Sequence, residues 1–398
     1  MKKILTLNLL AIFLIMPWCS AAHYIVGFVE NAKDGTNADG HSILLWNPSV
    51  GINDNLSDTI GPLGNSNTNS IYMIDCELLN NGCAVGNILT LKILNNGDNY
   101  VSGEKNVSVT GYGYDIVNNI TLNSPPNISS AEVDDDLTTP ANEIDLIPAD
   151  TKEITCRAIV TEYDGKNSLA NSTGKFFDNS ISNYNAADDN NMHYTNNSCY
   201  INYSYGNINE AEVLCKFYIW YYANSQNWNC TLDVNDNLSI HSRKGDLTFI
   251  NPLLALGLNS VIDFNIVNDR DISNESKFNV TNYGNVKINL SLSGYGFREN
   301  DGNAMNCSLG EIKNISISNE RFNLTNSNTG EINLSEFGNK YANLTSSPDV
   351  KKFNLDYRKN DLINEAINIT YWRIYVPRGV YGDCQGNIIF GAVRAPGN

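Results

Sequence analysis

The residues with the clearest chemistry in this sequence are eight cysteines, Cys76, Cys83, Cys156, Cys199, Cys215, Cys230, Cys307 and Cys384, preceded by a ninth, Cys19. An even set that lacks the close pairs of a zinc ribbon, with no histidine at ligand spacing, reads as disulfides formed in an oxidising compartment. Eight thiols allow about 105 connectivities, and spacing alone does not choose among them. The second group is a set of acceptor amides. Eighteen Asn-x-Ser/Thr sites have x other than Pro: Asn55, Asn106, Asn119, Asn127, Asn171, Asn196, Asn202, Asn229, Asn237, Asn274, Asn279, Asn289, Asn306, Asn314, Asn323, Asn333, Asn343 and Asn368. Random neighbours of the 64 asparagines would produce about eight, so the excess is about twofold. In an archaeal or eukaryotic host these are N-glycosylation candidates.

Groups that could catalyse are sparse. Only His23, His41, His193 and His241 are present, none in a metalloprotease or nucleophile-elbow pattern, so neither a catalytic residue nor a cofactor is predicted. Three oxygen-rich stretches have the ligand types of a Ca²⁺ loop: Asp134 to Asp136, Asp188 to Asn191, and Asp233 to Asn237. None follows an EF-hand spacing, and turn chemistry accounts for the same residues. Tyr218 and Trp220 alternate with Phe217 and Ile219, which places two aromatics on an outer face, where they could stack on sugars or pack beneath a neighbour.

The elements that must position these groups follow from composition. Of 398 residues 42% are hydrophobic but only 17% are charged, with a net charge of −17, so asparagine carries much of the polarity. Lys+Arg total 26 against 43 acids, with no basic block, which excludes phosphate-backbone binding. Aromatic content of 10% excludes a disordered chain. Lys2 and Lys3, the apolar run Leu9 to Trp18, and Ser20, Ala21 and Ala22 have the order of a signal peptide over 1–22, cleaved after Ala21 or Ala22. Bulky Trp18 before Cys19 argues against a lipoprotein site. No second long apolar run follows, so no membrane span is expected in the mature chain.

Short segments of period two dominate. Leu89, Leu91 and Ile93 form one buried face; Ile154, Cys156, Ala158 and Val160 form another; Val213 to Tyr221 and Trp228 to Val234 repeat the pattern. Phe278 and Val280, a turn at Asn282 to Asn285, and Val286 to Leu292 predict a hairpin. Pro125 and Pro126, and the polar stretch Asp233 to Arg243, mark boundaries. The expectation is an all-β chain of tandem sandwiches after the signal peptide, with domains at 23–124, 125–242 and 243–398. In sequons such as Asn289-Leu290-Ser291 and Asn368-Ile369-Thr370, alternation places the aliphatic residue inside and the polar pair outside.

Tyr24 to Val29, the loop Asp34, Gly35, Thr36, Ala38, Asp39 and Gly40, and then Ile43 to Leu45 resemble the opening of carboxypeptidase regulatory-like (transthyretin-like) modules. Where those modules have a Gly-Tyr-Tyr type strand, this chain has Tyr72, Met73 and Ile74. The resemblance implies a β-sandwich spacer without catalytic residues. Cys156 to Gly165, Phe217 to Tyr222 and Trp228 to Cys230 are similar to immunoglobulin-like repeats of archaeal surface proteins. With Cys156, Cys215 and Cys230 on inward positions, the preferred pairs are Cys156 with Cys230 and Cys199 with Cys215. Cys76 with Cys83 would close a short loop, and Cys307 with Cys384 would tie the ends of the last domain. The apolar segments Tyr371 to Val376 and Ile388 to Ala392 either close their own domain or complete a neighbouring subunit's sheet. The expected function is a non-catalytic structural protein of a cell surface (S-layer, sheath or filament), partnered by other surface proteins or copies of itself. The alternative is a secreted adhesin or glycan-binding module, with Ca²⁺ as a stabiliser.

Overall fold

The computed structural model describes residues 21–81, 83–135, 143–259 and 261–396. The expected signal peptide, except Ala21 and Ala22, lies outside the described residues, as does Asp136. The described chain is almost entirely β-strand, arranged as three successive sandwiches. Among the described residues no helix is long and apolar enough to cross a membrane.

The first sandwich contains β1 (Tyr24–Glu30), β2 (Ser42–Trp46), β3 (Asn55–Thr59), β4 (Ile71–Asp75), β5 (Ile88–Ile93), β6 (Lys105–Ser108) and β7 (Tyr114–Thr121). One sheet runs β4-β1-β7 and the other β3-β2-β5-β6. Alternation along β1 buries Ile25 and Val29 against Ile43, Leu45, Leu89 and Leu91. Gly27 sits opposite Tyr72 in the β1–β4 register, and a Cβ there would lie 2.3 Å from the Tyr72 hydroxyl, so only glycine admits the buried ring. The strand β1 pairs in parallel with β7, the last strand of the unit.

Next come β8 (Asn127–Asp134), β9 (Glu143–Ile144), β10 (Thr151–Thr161), β11 (Leu169–Asp178), β12 (His193–Asn196), β13 (Tyr200–Asn202), β14 (Glu210–Trp220), β15 (Asn227–Asp236) and β16 (His241–Ile250). They form the sheets β13-β14-β10-β8 and β12-β11-β15-β16-β9. The inward faces of β10, β14 and β15 are those expected from alternation. Trp228 is fully buried, stacks on Phe176 at 4.8 Å and donates its indole N–H to the Asn224 carbonyl at 2.8 Å. The boundary expected at 242 moves. The polar stretch there is the turn between β15 and β16, and β16 pairs with β15 over nine registered positions, so the second sandwich extends through Ile250.

The third comprises β17 (Leu256–Leu258), β18 (Ser276–Asn282), β19 (Ile288–Tyr295), β20 (Asn303–Gly310), β21 (Asn314–Ser316), β22 (Glu320–Asn323), β23 (Ala342–Asn343), β24 (Asp349–Leu355), β25 (Ala366–Ile374), β26 (Val380–Gln385) and β27 (Asn387–Arg394). A short helix, α1 (Leu334–Lys340), starts at an Asn333 cap that forms a capping box with Glu336. The sheets are β17-β18-β25-β22-β23, β24-β19-β27 and β21-β20-β26. The expected hairpin over 278–292 is a corner between two sheets, because β18 pairs with β25 while β19 pairs with β24 and β27. Asn282 holds that corner: its Oδ1 accepts from Gly284 N, and its Nδ2 donates to the carbonyls of Val286 and Asp356. The C-terminal strand β27 closes its own domain against β19, with Phe390 stacked on Phe278 at 5.3 Å.

Candidate functional site

Strand geometry brings the cysteines together in four pairs: Cys76–Cys83, Cys156–Cys230, Cys199–Cys215 and Cys307–Cys384. Cys156 on β10 and Cys230 on β15 join the two sheets of the second sandwich. Cys307 and Cys384 are direct partners in the β20–β26 register. Beneath Cys199–Cys215, Gly174 of β11 leaves space for sulfur, since a Cβ there would stand 2.3 Å from Cys215 Sγ. These pairs coincide with the preferred ones, because inward strand positions at matching heights limit the choice far more than sequence spacing does.

The sequon asparagines are spread over all three sandwiches. Asn196, Asn202, Asn229 and Asn323 are half-buried, Asn289 is buried, and the remaining thirteen are exposed. Asn289 departs from the expected outward placement, on a strand whose residues are buried or half-buried on both faces. Its Oδ1 accepts from the backbone N–H groups of Phe353 and Asn354, both at 3.0 Å, at the β19–β24 irregularity. In Asn368-Ile369-Thr370 the polar pair is split. Asn368 is exposed, whereas Thr370 is fully buried between the Phe278 carbonyl and the Trp372 indole N–H. Asn323 and Asn333 serve as local caps, the first accepting from Thr325 N and Asn326 N, the second from Glu336 N.

Each oxygen-rich loop from the sequence is already committed. Asp135 pairs with Lys152 at 3.1 Å. Asp188 accepts from His193 Nδ1 at 2.8 Å and from Thr195, and Asp189 closes a turn onto Asn191 N. Asp233 faces Arg243 at 2.6 Å and His241 at 2.9 Å; burial pushes its carboxyl up, but hydrogen bonds from Arg243 and His241 outweigh it and leave it below the usual range. Each histidine lies against an aspartate: His23 bonds Asp115 at 2.7 Å, His193 bonds Asp188 and His241 bonds Asp233, while His41 Nε2 stands 3.0 Å from Asp98 without hydrogen-bond alignment. Tyr218 and Trp220 face outward as alternation required, and Trp220 stacks against Tyr222 at 6.1 Å.

Both junctions between sandwiches are polar. Between the second and third, Asn285 Nδ2 donates to the carbonyls of Ala223 and Asn251, while its Oδ1 accepts from Leu253 N. Tyr221 bonds Glu365, and Tyr222 donates to Asp361 at 2.7 Å. Arg358 lies 4.5 Å over the Tyr222 ring and 3.2 Å from Glu365. Sequence reasoning missed this seam, whose only signal was the run Trp220 to Tyr222 at the end of a strand. Between the first and second sandwiches, the Pro125–Pro126 linker is pinned by Asn123 Nδ2 donating to Asp236 at 2.7 Å and by Ser124 N donating to Asp164 at 2.7 Å.

No family model matches this chain, and no curated protein matches it. Among solved structures it is similar to the major pilin subunit of Bacillus cereus, at 8% identity and a TM-score of 0.29, covering 92% of this chain and 87% of that one. The full-length major pilin of Corynebacterium diphtheriae gives 9% identity and a TM-score of 0.27, with 94% and 88% covered. A tetra-tandem repeat from the extending region of a large adhesion protein gives 9%, 0.25, and 94% and 74%. Superpositions this loose share strand-rich modules, and nothing about the role of this chain follows from them.

Proposed function

We propose that the chain is an exported structural protein of a cell surface, a component of an S-layer, sheath or filament. The observation that supports this best is the distribution of its sequons: thirteen exposed acceptor asparagines spread over all three sandwiches, on a chain stapled by four disulfides. Disulfides belong to oxidising compartments, and uncharged polar faces, glycosylated or bare, keep large β surfaces soluble and hinder edge-to-edge pairing. The hydrogen-bonded seam at Tyr221, Tyr222 and Asn285 fixes two sandwiches together, as a load-sharing component requires.

Purification from the native host followed by intact and peptide mass spectrometry and electron microscopy tests the reading. Expected are a mature chain starting at Ala22 or His23, glycans on exposed sequons, and particles that assemble into a lattice or fibre. An unglycosylated monomer with eight free thiols would refute it. A second reading, adhesion to glycans, is favoured by the exposed Tyr218 and Trp220 side by side on β14. Saturable glycan-array binding lost on Trp220→Ala would support that reading over assembly.

A further inference from the structure

Sequons cover the outer faces of this protein unevenly. In the sheet β4-β1-β7 of the first sandwich the one sequon is Asn119, which bonds Glu30 at the far end of the face. The rest of that outer face is apolar. Tyr24, Val26 and Phe28 of β1 turn away from the core that Ile25 and Val29 enter; Tyr24 lies beside Tyr114, and Val26 lies between Met73 and Ile116. Tyr114 is 57% exposed and Ile116 is 72% exposed. Single apolar residues are ordinary on a surface, but a continuous group across three strands marks a contact. The strands β1, β4 and β7 contain no Lys or Arg, and Asp75 and Glu30 stand at the two ends of the face.

Charge selects the partner. The first sandwich, over 23–124, has ten acidic side chains and three basic ones, whereas the third, over 251–398, has fifteen and fourteen. Basic residues are therefore concentrated at the other end of the chain. Within the third sandwich, β17-β18-β25-β22-β23 and β21-β20-β26 carry exposed sequons, while the one sequon of β24-β19-β27 is the buried Asn289. That same sheet contains Lys351, Lys352 and Arg394 against a single acid, Asp349, and exposes Val350 and Ile389. We propose that the outer face of β4-β1-β7 docks on the sheet β24-β19-β27 of a second copy of this chain, apolar against apolar and acidic ends against cations. The inference rests on the surface-assembly reading and supplies its contact. Because the two faces belong to the first and last sandwiches, the contact is heterologous and joins copies head to tail. Three strands about 4.8 Å apart and about seven residues long span roughly 14 by 23 Å, well below the about 800 Å² per partner of a stable dimer. A single contact is thus weak, and stability comes from repeating it.

The test is sedimentation velocity on the mature full chain from about 5 μM to about 0.5 mM, with Ile116→Lys and Val350→Glu as variants. Both positions are exposed, so circular dichroism and melting temperature should match wild type. Expected is concentration-dependent association of wild type, weaker in about 500 mM than in about 50 mM NaCl. Each variant alone should associate at least about tenfold more weakly. An equimolar mixture of the two should form one-to-one dimers and nothing longer, since each supplies the face that the other lacks. A wild type still monomeric at about 0.5 mM would overturn the proposal. So would a Val350→Glu variant that pairs as well as wild type, because the first face would then be binding its own copy. If wild type assembles and both variants assemble equally well, this contact is wrong while the surface reading stands, since that reading is decided by signal-peptide cleavage, glycans and disulfides in native material.

Discussion

Replacing Glu320 with Gln should make this protein more stable in mild alkali and almost unchanged in acid. Glu320 opens β22 at 1% exposure, beside a cleft of about 320 Å³ that Phe264, Phe278, Met305 and Phe390 also line. Its Oε1 has no hydrogen-bond partner, and desolvation raises its pKa from 4.5 to about 8. Between those two values the folded chain keeps a proton that the unfolded chain has released. Stability is therefore fully present below pH 4.5 and lost as pH rises through about 8. At about 1.4 kcal/mol per pKa unit, the loss approaches about 5 kcal/mol. Gln has the shape of the protonated acid and cannot ionise, so Glu320→Gln removes this slope. Urea midpoints of both proteins at a series of pH values from 4.5 to 8.5 measure it; the other titrating groups, Glu162 among them, cancel in the difference. Parallel profiles, with no growing advantage for the variant above neutral pH, would show that Glu320 is solvated in the native state and that the reasoning is wrong.

Removing the intersheet bridge by Cys156→Ser with Cys230→Ser opens a loop of 74 residues and should cost about 4 kcal/mol by loop entropy, read as a lower denaturation midpoint with an unchanged first sandwich. Asn282→Ala strips a fully buried corner of three hydrogen bonds and strands two carbonyls, a loss of about 2–4 kcal/mol measurable by thermal unfolding. Glycopeptide mapping of native material should find Asn289 unmodified while Asn106, Asn127 and Asn279 carry glycan; an occupied Asn289 would mean that β19 is accessible before it folds.

What the sequence revealed was the face of each strand, and little of which strand lies beside which. Ile154, Cys156, Ala158 and Val160 identify their buried side because the pleat turns alternate residues to opposite faces. Nothing in that rule distinguishes a hairpin from a corner, so Asn282 to Asn285 has the sequence of the former, although the buried amides of Asn282 and Asn285 make it the latter. The same limit misplaced the boundary at 242, where a polar turn inside a sheet has the composition of a linker. Outward placement failed at Asn289 because alternation assumes one solvated face, whereas here the outer amide is drawn into the β19–β24 irregularity, where it accepts two backbone N–H groups. Two buried acids, Glu162 just after β10 and Glu320 at the start of β22, did leave a trace. Glu162 continues the inward phase of Val160, and Glu320 shares the inward phase of Phe322, so a carboxyl in register with a core stripe was the available signal.

The parallel pairing of β1 and β7 bears on how the first sandwich responds to tension along the chain. The polypeptide enters the unit at the start of β1 and leaves it at the end of β7, and the two strands lie side by side, from Tyr24 opposite Tyr114 to Glu30 opposite Thr121. A pull on the two ends therefore draws the strands past one another lengthwise. Their cross-strand hydrogen bonds share the load and must fail together, whereas antiparallel neighbours pulled from one end would open one bond at a time. Whatever holds the start of β1, the unit resists being stretched between that point and the linker that follows β7.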